Sequence, residues 1–328
     1  MRAWQIVRHG APKGALELRD VLPPEPGPGF LRVRVSAAAL GLPDVLMCRG
    51  SYLLAPKLPF TPGQELAGIV TAAGPGARAA VGARVMAVSG FFVGHGSFAE
   101  EALALDDFCF PVPDGMDLGE AAAFLIPFHT AYVGLVRRAA LQPRETLLVL
   151  GAAGGTGATA LQLGRAIGAR VLASARGSER AAFCLAQGAE VVIDPRREDL
   201  AARVRELTGG GGADVIYDPV GGEAFEEATH AVAHEGRILA VGFASGRWGR
   251  PDVAHMVTHN YSVMGMIPSA YDRAFKEAAQ ARLLAWWRAG ALRVPIAKRF
   301  AFEDLPEGLE MLAAGGITGR LVWNASEP

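Results

Sequence analysis

Along the 328-residue chain the apolar positions fall into two regimes. Up to about residue 122 they come as short alternating or β-branched runs, at 4–7, 31–37, 67–72, 84–88 and 98–103, with Gly and Pro between them. Such runs between turn clusters predict a compact, mostly β domain. The stretch 23–29, Pro-Pro-Glu-Pro-Gly-Pro-Gly, suits neither a ladder nor a helix, and so predicts a loop feeding the strand at Leu31. From Asp117 to Arg138 the spacing turns helical, through Ala121, Ala122, Leu125, Ala131, Val133 and Leu135, which marks the passage into a second domain. Beyond it, apolar strands at 146–150, 170–174, 190–194, 214–218, 237–241 and 262–266 alternate with helical patterns at 179–186, 198–207 and 223–233. This alternation predicts an α/β fold, a Rossmann doubly wound parallel sheet with ligand at the carboxyl ends of its strands. A further helix is expected at 271–288, with Trp286 and Trp287 read as packing residues. The tail, strands at 296–302 and 319–323 around a helix at 305–314, has too little core of its own and is expected to rejoin the first domain. The expected boundaries are 1–122, 123–267 and a return over 268–328.

The first unit of the second domain carries the clearest chemistry. The run Leu147 to Leu150 is apolar without alternation, as in a strand covered on both faces. Gly151, Gly154, Gly155 and Gly157 follow where the chain must turn, admit a diphosphate to the backbone and bring a helix close to the sheet; Ala153 and Thr156 complete the turn. The helix from about Ala158 to Ile167 aims its free N–H groups at the anion, Gly168 stops it, and Arg170 begins the second strand. The plainer alternative is a strand-to-helix turn whose glycines serve packing alone. An NAD-selective site places Asp or Glu about twenty residues beyond the first glycines. Here Ser174, Ala175 and Arg176 stand there, with Ser178 and Arg180 next, so hydroxyls and two cations await a 2'-phosphate. That predicts NADPH over NADH; the alternative leaves Arg176 and Arg180 as solvated arginines beside a helix start.

With 51% hydrophobic residues the chain has enough core for two domains. A net charge of -1 gives no general attraction to nucleic acid or an anionic membrane. Cys48, Cys109 and Cys184 are scattered, which argues against a disulfide framework and fits a reducing cytoplasm. Polar residues interrupt the N-terminal apolar run, so it reads as a strand rather than a signal peptide, and no run approaches the roughly eighteen apolar residues of a membrane span.

Five stretches carry a resemblance: Asp44-Val-Leu-Met-Cys-Arg-Gly-Ser-Tyr52, Pro59-Phe-Thr-Pro-Gly-Gln-Glu-Leu-Ala-Gly-Ile-Val70, Gly96-Ser-Phe-Ala-Glu100, Ala152-Ala-Gly-Gly-Thr-Gly157 and Gly319-Arg-Leu-Val322. With them the chain resembles, over essentially its whole length, the zinc-independent, zeta-crystallin-like quinone oxidoreductases of the medium-chain dehydrogenase/reductase superfamily. The resemblance implies a GroES-like catalytic domain beside the Rossmann domain. Zinc-bearing relatives would carry Cys at or beside Asp44, His where Gln64 stands, and a four-cysteine lobe after Arg84-Val-Met-Ala; this chain runs on to Phe91 and Phe92, so no metal is expected. The resemblance further implies that Gly154, Gly155 and Gly157 hold the diphosphate, that Arg180 meets the adenosine phosphate and that Thr130 lies against the nicotinamide. Gly242, Phe243, Ala244 and Ser245, with Gly319-Arg320, would complete the cofactor cleft, and Tyr52 would face the substrate. A homodimer through the strand at 263–266 is also implied. Two departures stand out. Gly41-Leu42 replaces the family's Asn-Phe, which removes an amide and leaves Leu42 at the substrate pocket, and Asp194-Pro195 replaces a Tyr near the adenine.

Other candidates have two readings. Phe91, Phe92 and Phe128 suit either a pocket for a flat conjugated ring or core packing. His129 suits either the nicotinamide site or the core. His230 with His234, and His255 with His259, have i,i+4 spacing, yet no third ligand supports a metal. Asp44, Glu65 and Asp218 are expected to serve structural hydrogen bonds. The activity expected is hydride transfer from NADPH to a quinone, with Tyr52 orienting or protonating the acceptor oxygen. The alternatives are reduction of an enone, alkenal or enoyl thioester, or a non-catalytic, crystallin-like NADPH-binding protein.

Overall fold

The computed structural model describes residues 1–325 and divides into two compact units. One comprises Met1–Ile126 with the chain from Ile296 onward, the other Pro127–Pro295. The sequence placed these crossings at 122 and 268. The return comes later because helix Arg273–Arg288 stays with the second unit: its Gln280 meets His129 at 2.9 Å, and just beyond it the Arg293 N–H donates to Gln162 at 2.7 Å.

In the first unit β1 (Arg2–Ile6) and β2 (Leu16–Asp20) form an antiparallel pair. Strands β3 (Phe30–Leu40), β4 (Glu65–Ala73), β5 (Arg84–Ser89) and β6 (Glu101–Pro111) are antiparallel neighbours, and β3 also pairs with β6, so the four close on themselves. Alternation drives the closure: Leu31, Val33 and Val35 of β3 point into the core while Arg34 is exposed.

In the second unit β7 (Thr146–Val149), β8 (Arg170–Ser174), β9 (Val191–Ile193), β10 (Ala213–Asp218), β11 (Val232–Ala240) and β12 (Ser262–Gly265) form one parallel sheet in the order β12-β11-β10-β7-β8-β9. Read from the far edge this is the doubly wound order 3-2-1-4-5-6, whose reversal between β7 and β10 opens the ligand crevice at the carboxyl ends. Leu148, Leu172, Ile193, Ile216 and Ile238 bury one side chain from each of five strands in a common core. The tail lies with the first unit: β14 (Arg320–Asn324) pairs antiparallel with β3, and β13 (Ile296–Phe300) lies parallel beside β14.

Three expectations change. The helical run at 223–233 stops at Thr229, because β11 begins at Val232. His230 therefore caps that helix and His234 lies on the strand, so these two do not share a helix face; His255 and His259 do, stacked at 3.9 Å on helix Val253–His259. The helical stretch from 117 to 138 is three pieces, Leu118–Ala122, Leu125–Tyr132 and a wider π-helical turn at Val133–Arg138. Among the described residues no helix is long and apolar enough to cross a membrane.

Candidate active site

The glycine turn of the second unit is built for an anion. Strand β7 runs into Gly151, whose φ of 54° lies in the left-handed region. Helix Gly155–Ile167 then starts three residues sooner than the spacing placed it, with Gly154 as N-cap and no side chain on its first N–H groups. A Cβ on Gly157 would lie 2.6 Å from the Gly151 carbonyl oxygen and 2.7 Å from Ala152 Cα, so only glycine lets the helix start this close to the turn. Ala153 is buried, and the Ala152 N–H donates to the Ser174 carbonyl at 3.2 Å, tying the turn to the end of β8. The first N–H groups of the helix thus stand uncapped at its positive end, a cradle that suits a diphosphate.

The loop after β8 carries the cations. Ser174 is buried, Arg176 exposed and Arg180 half-buried, and among the described residues neither arginine forms an ion pair. Asp194, at the end of β9, accepts from the Gly177 N–H at 2.9 Å and from the Arg196 N–H at 3.0 Å. Those N–H groups hold its carboxyl below the usual range. After β10 and β11 the loops are zipped together: Gly242 N–H meets the Asp218 carbonyl at 3.3 Å, Ala244 N–H the Pro219 carbonyl at 3.1 Å, and Ser245 N–H the Val220 carbonyl at 2.9 Å. The Asp218 carboxylate accepts from Val220 and Gly221 at 2.8 and 2.9 Å, and burial pushes its pKa up. Phe243 packs on Trp248 with ring centroids 4.5 Å apart. Phe128, His129 and Thr130 are buried residues of helix Leu125–Tyr132. Burial pushes the His129 imidazole down to about 4, against its bond to Gln280, so it is neutral at physiological pH.

The first unit holds a separate polar cluster. Leu42 opens helix Leu42–Cys48, and Asp44 in its first turn accepts the Gly41 N–H at 2.8 Å and the Gly63 N–H at 3.0 Å. Burial drives the Asp44 carboxyl up to about 7, opposed by those two N–H groups and by Arg320. Gln64, next to Gly63, donates from Nε2 to the Tyr52 hydroxyl at 3.0 Å. Glu65 accepts the Ile126 N–H at 3.0 Å and forms a buried ion pair with Arg320, whose Nε has no partner among the described residues. Tyr52 and Leu42 are half-buried against the core that contains Phe91, and the Tyr52 and Phe91 rings stand 6.3 Å apart. Leu42, Tyr52 and Phe91 therefore gather on one unit, while Phe128 belongs to the other. The carboxyl groups of Asp44, Glu65 and Asp218 all accept from backbone N–H groups. Sequence reasoning missed two partnerships, Gln64 with Tyr52 and Glu65 with Arg320; Gln64 was read only as the absence of a ligand.

Two family profiles match the chain: "Alcohol dehydrogenase GroES-like domain" over residues 27–114 and "Zinc-binding dehydrogenase" over residues 155–283. Human quinone oxidoreductase is 30% identical over 98% of this chain and 97% of its own length. The chain belongs to the zinc-independent, quinone oxidoreductase-like branch of the medium-chain dehydrogenase/reductase superfamily. A quinone oxidoreductase-like protein 2 homolog of Nematostella vectensis is 33% identical over 92% of this chain and 83% of its own. Escherichia coli quinone oxidoreductase complexed with NADPH superposes with a TM-score of 0.91 at 26% identity, covering 99% of this chain and 100% of that one. The zinc named by one profile does not fit this medium-chain oxidoreductase. Both Asp44 oxygens are spent on N–H groups, Gln64 gives its amide to Tyr52, and among the described residues no group of three His, Cys, Asp or Glu side chains is placed to hold a metal ion.

Proposed function

We propose that this oxidoreductase binds NADPH and passes its hydride to a quinone, without a metal, as a homodimer. One observation carries the nucleotide half: the uncapped helix start at Gly155, tied through Ala152 to a loop whose Arg176 and Arg180 form no ion pair among the described residues. Gly154, Gly155 and Gly157 with the intervening Thr156 hold the diphosphate, and Ser174, Arg176 and Arg180 hold the 2'-phosphate. Thr130, Gly242, Phe243 and Ala244 serve the nicotinamide end. When bound, NADPH supplies a hydride from C4 of its nicotinamide. A quinone that gains this hydride and one proton from water becomes a hydroquinone, so positioning supplies most of the rate. Tyr52 orients the acceptor oxygen, and Leu42 and Phe91 give it an apolar wall. The quinone oxidoreductases among the relatives, and the NADPH held by the Escherichia coli structure, support this reading.

Nucleotide titration tests the phosphate assignment. Arg180→Glu should weaken NADPH binding about tenfold or more, the worth of one charge-assisted contact, and leave NADH binding unchanged. An equal loss for both nucleotides removes Arg180 from the phosphate. The acceptor is tested by following NADPH oxidation across benzoquinones, larger quinones, enones and enoyl thioesters, with quinones expected fastest. Failure of every acceptor to support NADPH oxidation would turn the reading to a non-catalytic nucleotide-binding protein.

A further inference from the structure

We infer that Gln64 is a positioning residue that makes the Tyr52 hydroxyl a directed hydrogen-bond donor, so that this pocket selects acceptors that gather negative charge on an oxygen as they are reduced. The inference deepens the proposed function and rests on Tyr52 meeting the acceptor.

A phenol has one proton to give and two lone pairs to receive with. Gln64 Nε2 fills one lone pair of Tyr52 at 3.0 Å. Among the described residues no other side chain or carbonyl takes the Tyr52 proton, so that proton is turned away from Gln64 and left for a ligand. The backbone that carries this amide is held in place. The main-chain carbonyl of Gln64 accepts the Ser89 N–H at 2.9 Å, and the residue before it is anchored through its own N–H to Asp44 at 3.0 Å. The Tyr52 ring is in turn seated 6.3 Å from Phe91. An amide donating into the phenol oxygen also polarises the O–H, which strengthens it as a donor. Burial raises the Tyr52 pKa and the Gln64 bond opposes that rise, in keeping with this polarity. When hydride reaches a quinone, charge builds on the carbonyl oxygen, and a preset O–H there stabilises the transition state more than the bound acceptor. An acceptor that leaves its charge on carbon gains nothing from this donor.

Three substitutions at Gln64 separate donor, spacer and acceptor. Gln64→Leu removes the donor and frees the hydroxyl to rotate; kcat/KM for a benzoquinone should fall about three- to tenfold, mostly in kcat. Gln64→Glu replaces the donor with a carboxylate that takes the Tyr52 proton for itself, so it should fall as far as Tyr52→Phe. Gln64→His restores a ring N–H donor and should recover most of the wild-type rate. A readout independent of turnover comes from protein labelled with 13C at the tyrosine ring, the Tyr52 signal being identified by its loss in Tyr52→Phe. Its ionisation should move to higher pH in Gln64→Leu and Gln64→Glu and stay near wild type in Gln64→His. NADPH affinity, which Gln64 does not serve, checks that each variant is folded. An unmoved Tyr52 ionisation, or wild-type quinone turnover in Gln64→Leu and Gln64→Glu while Tyr52→Phe is impaired, overturns the inference and leaves Tyr52 at the acceptor. Full turnover by Tyr52→Phe overturns the placement of Tyr52, and the inference with it.

Discussion

Gly154 and Gly157 lie three positions apart in one turn and in the sequence are interchangeable members of a glycine set, yet their surroundings differ. A Cβ on Gly157 would stand 2.6 Å from a backbone oxygen that has no room to withdraw, whereas on Gly154 the nearest atom is at 3.4 Å, an ordinary contact, and φ there is -75°. Gly157→Ala must therefore push the helix start away from the turn, an overpacking worth about 1–3 kcal/mol. It should lower the melting temperature by several degrees and weaken NADPH binding at least tenfold by fluorescence titration. Gly154→Ala should leave the melting temperature within about two degrees of wild type; equal melting losses in both variants would mean that close approach is not what Gly157 provides. The spacing of glycines reveals that a turn exists, but which glycine is sterically required depends on where the Gly151 carbonyl ends up. The partnership of Gln64 with Tyr52 is hidden for a similar reason, since it bridges 12 positions of irregular chain.

Among elements, those with continuous apolar runs were readable because burial on both faces leaves few other options: Thr146–Val149 is buried at every position. Helix Leu42–Cys48 was not, since seven residues carry too little periodicity and its first turn is held by Asp44 reaching Gly63, 19 positions away. Helix Val253–His259 escaped for the opposite reason, having no buried residue to mark a face. The join between helices Leu125–Tyr132 and Arg273–Arg288 also has a testable pH signature. His129, pushed down to about 4 by burial, refuses a proton that the unfolded chain accepts below its ordinary 6.5. Its contribution to stability is thus fully present above pH 6.5 and is lost as pH falls toward 4, by at most on the order of 3 kcal/mol. His129→Gln keeps an amide for Gln280 but has nothing to titrate. Urea unfolding at pH 4.5 and 8 should show the wild type losing more stability between the two than the variant. Equal losses would mean that His129 is not the group being protonated.

For the whole molecule, the second unit's sheet ends in two unlike edges. Strand β9 is three residues long, too short to offer a template. Among the described residues strand β12 is paired only to β11, and beside it in the chain helix Val253–His259 shows Val253 and Val257 at 70% and 69% exposure, with Ile267 at 50%. An uncovered edge with apolar flanks invites a partner strand, and a second copy across a two-fold axis offers the same strand in return. A net charge of -1 opposes such pairing only weakly. Light scattering on a sizing column should accordingly give twice 34.4 kDa at micromolar concentration. The double substitution Val253→Asp with Val257→Asp places two charges where the copies would meet and should return the mass to 34.4 kDa. Its NADPH affinity should be unchanged, because the glycine turn sits at the ends of the central strands, away from β12. A wild-type mass of one chain would remove the dimer, and a double variant that stays dimeric would move the contact to another face.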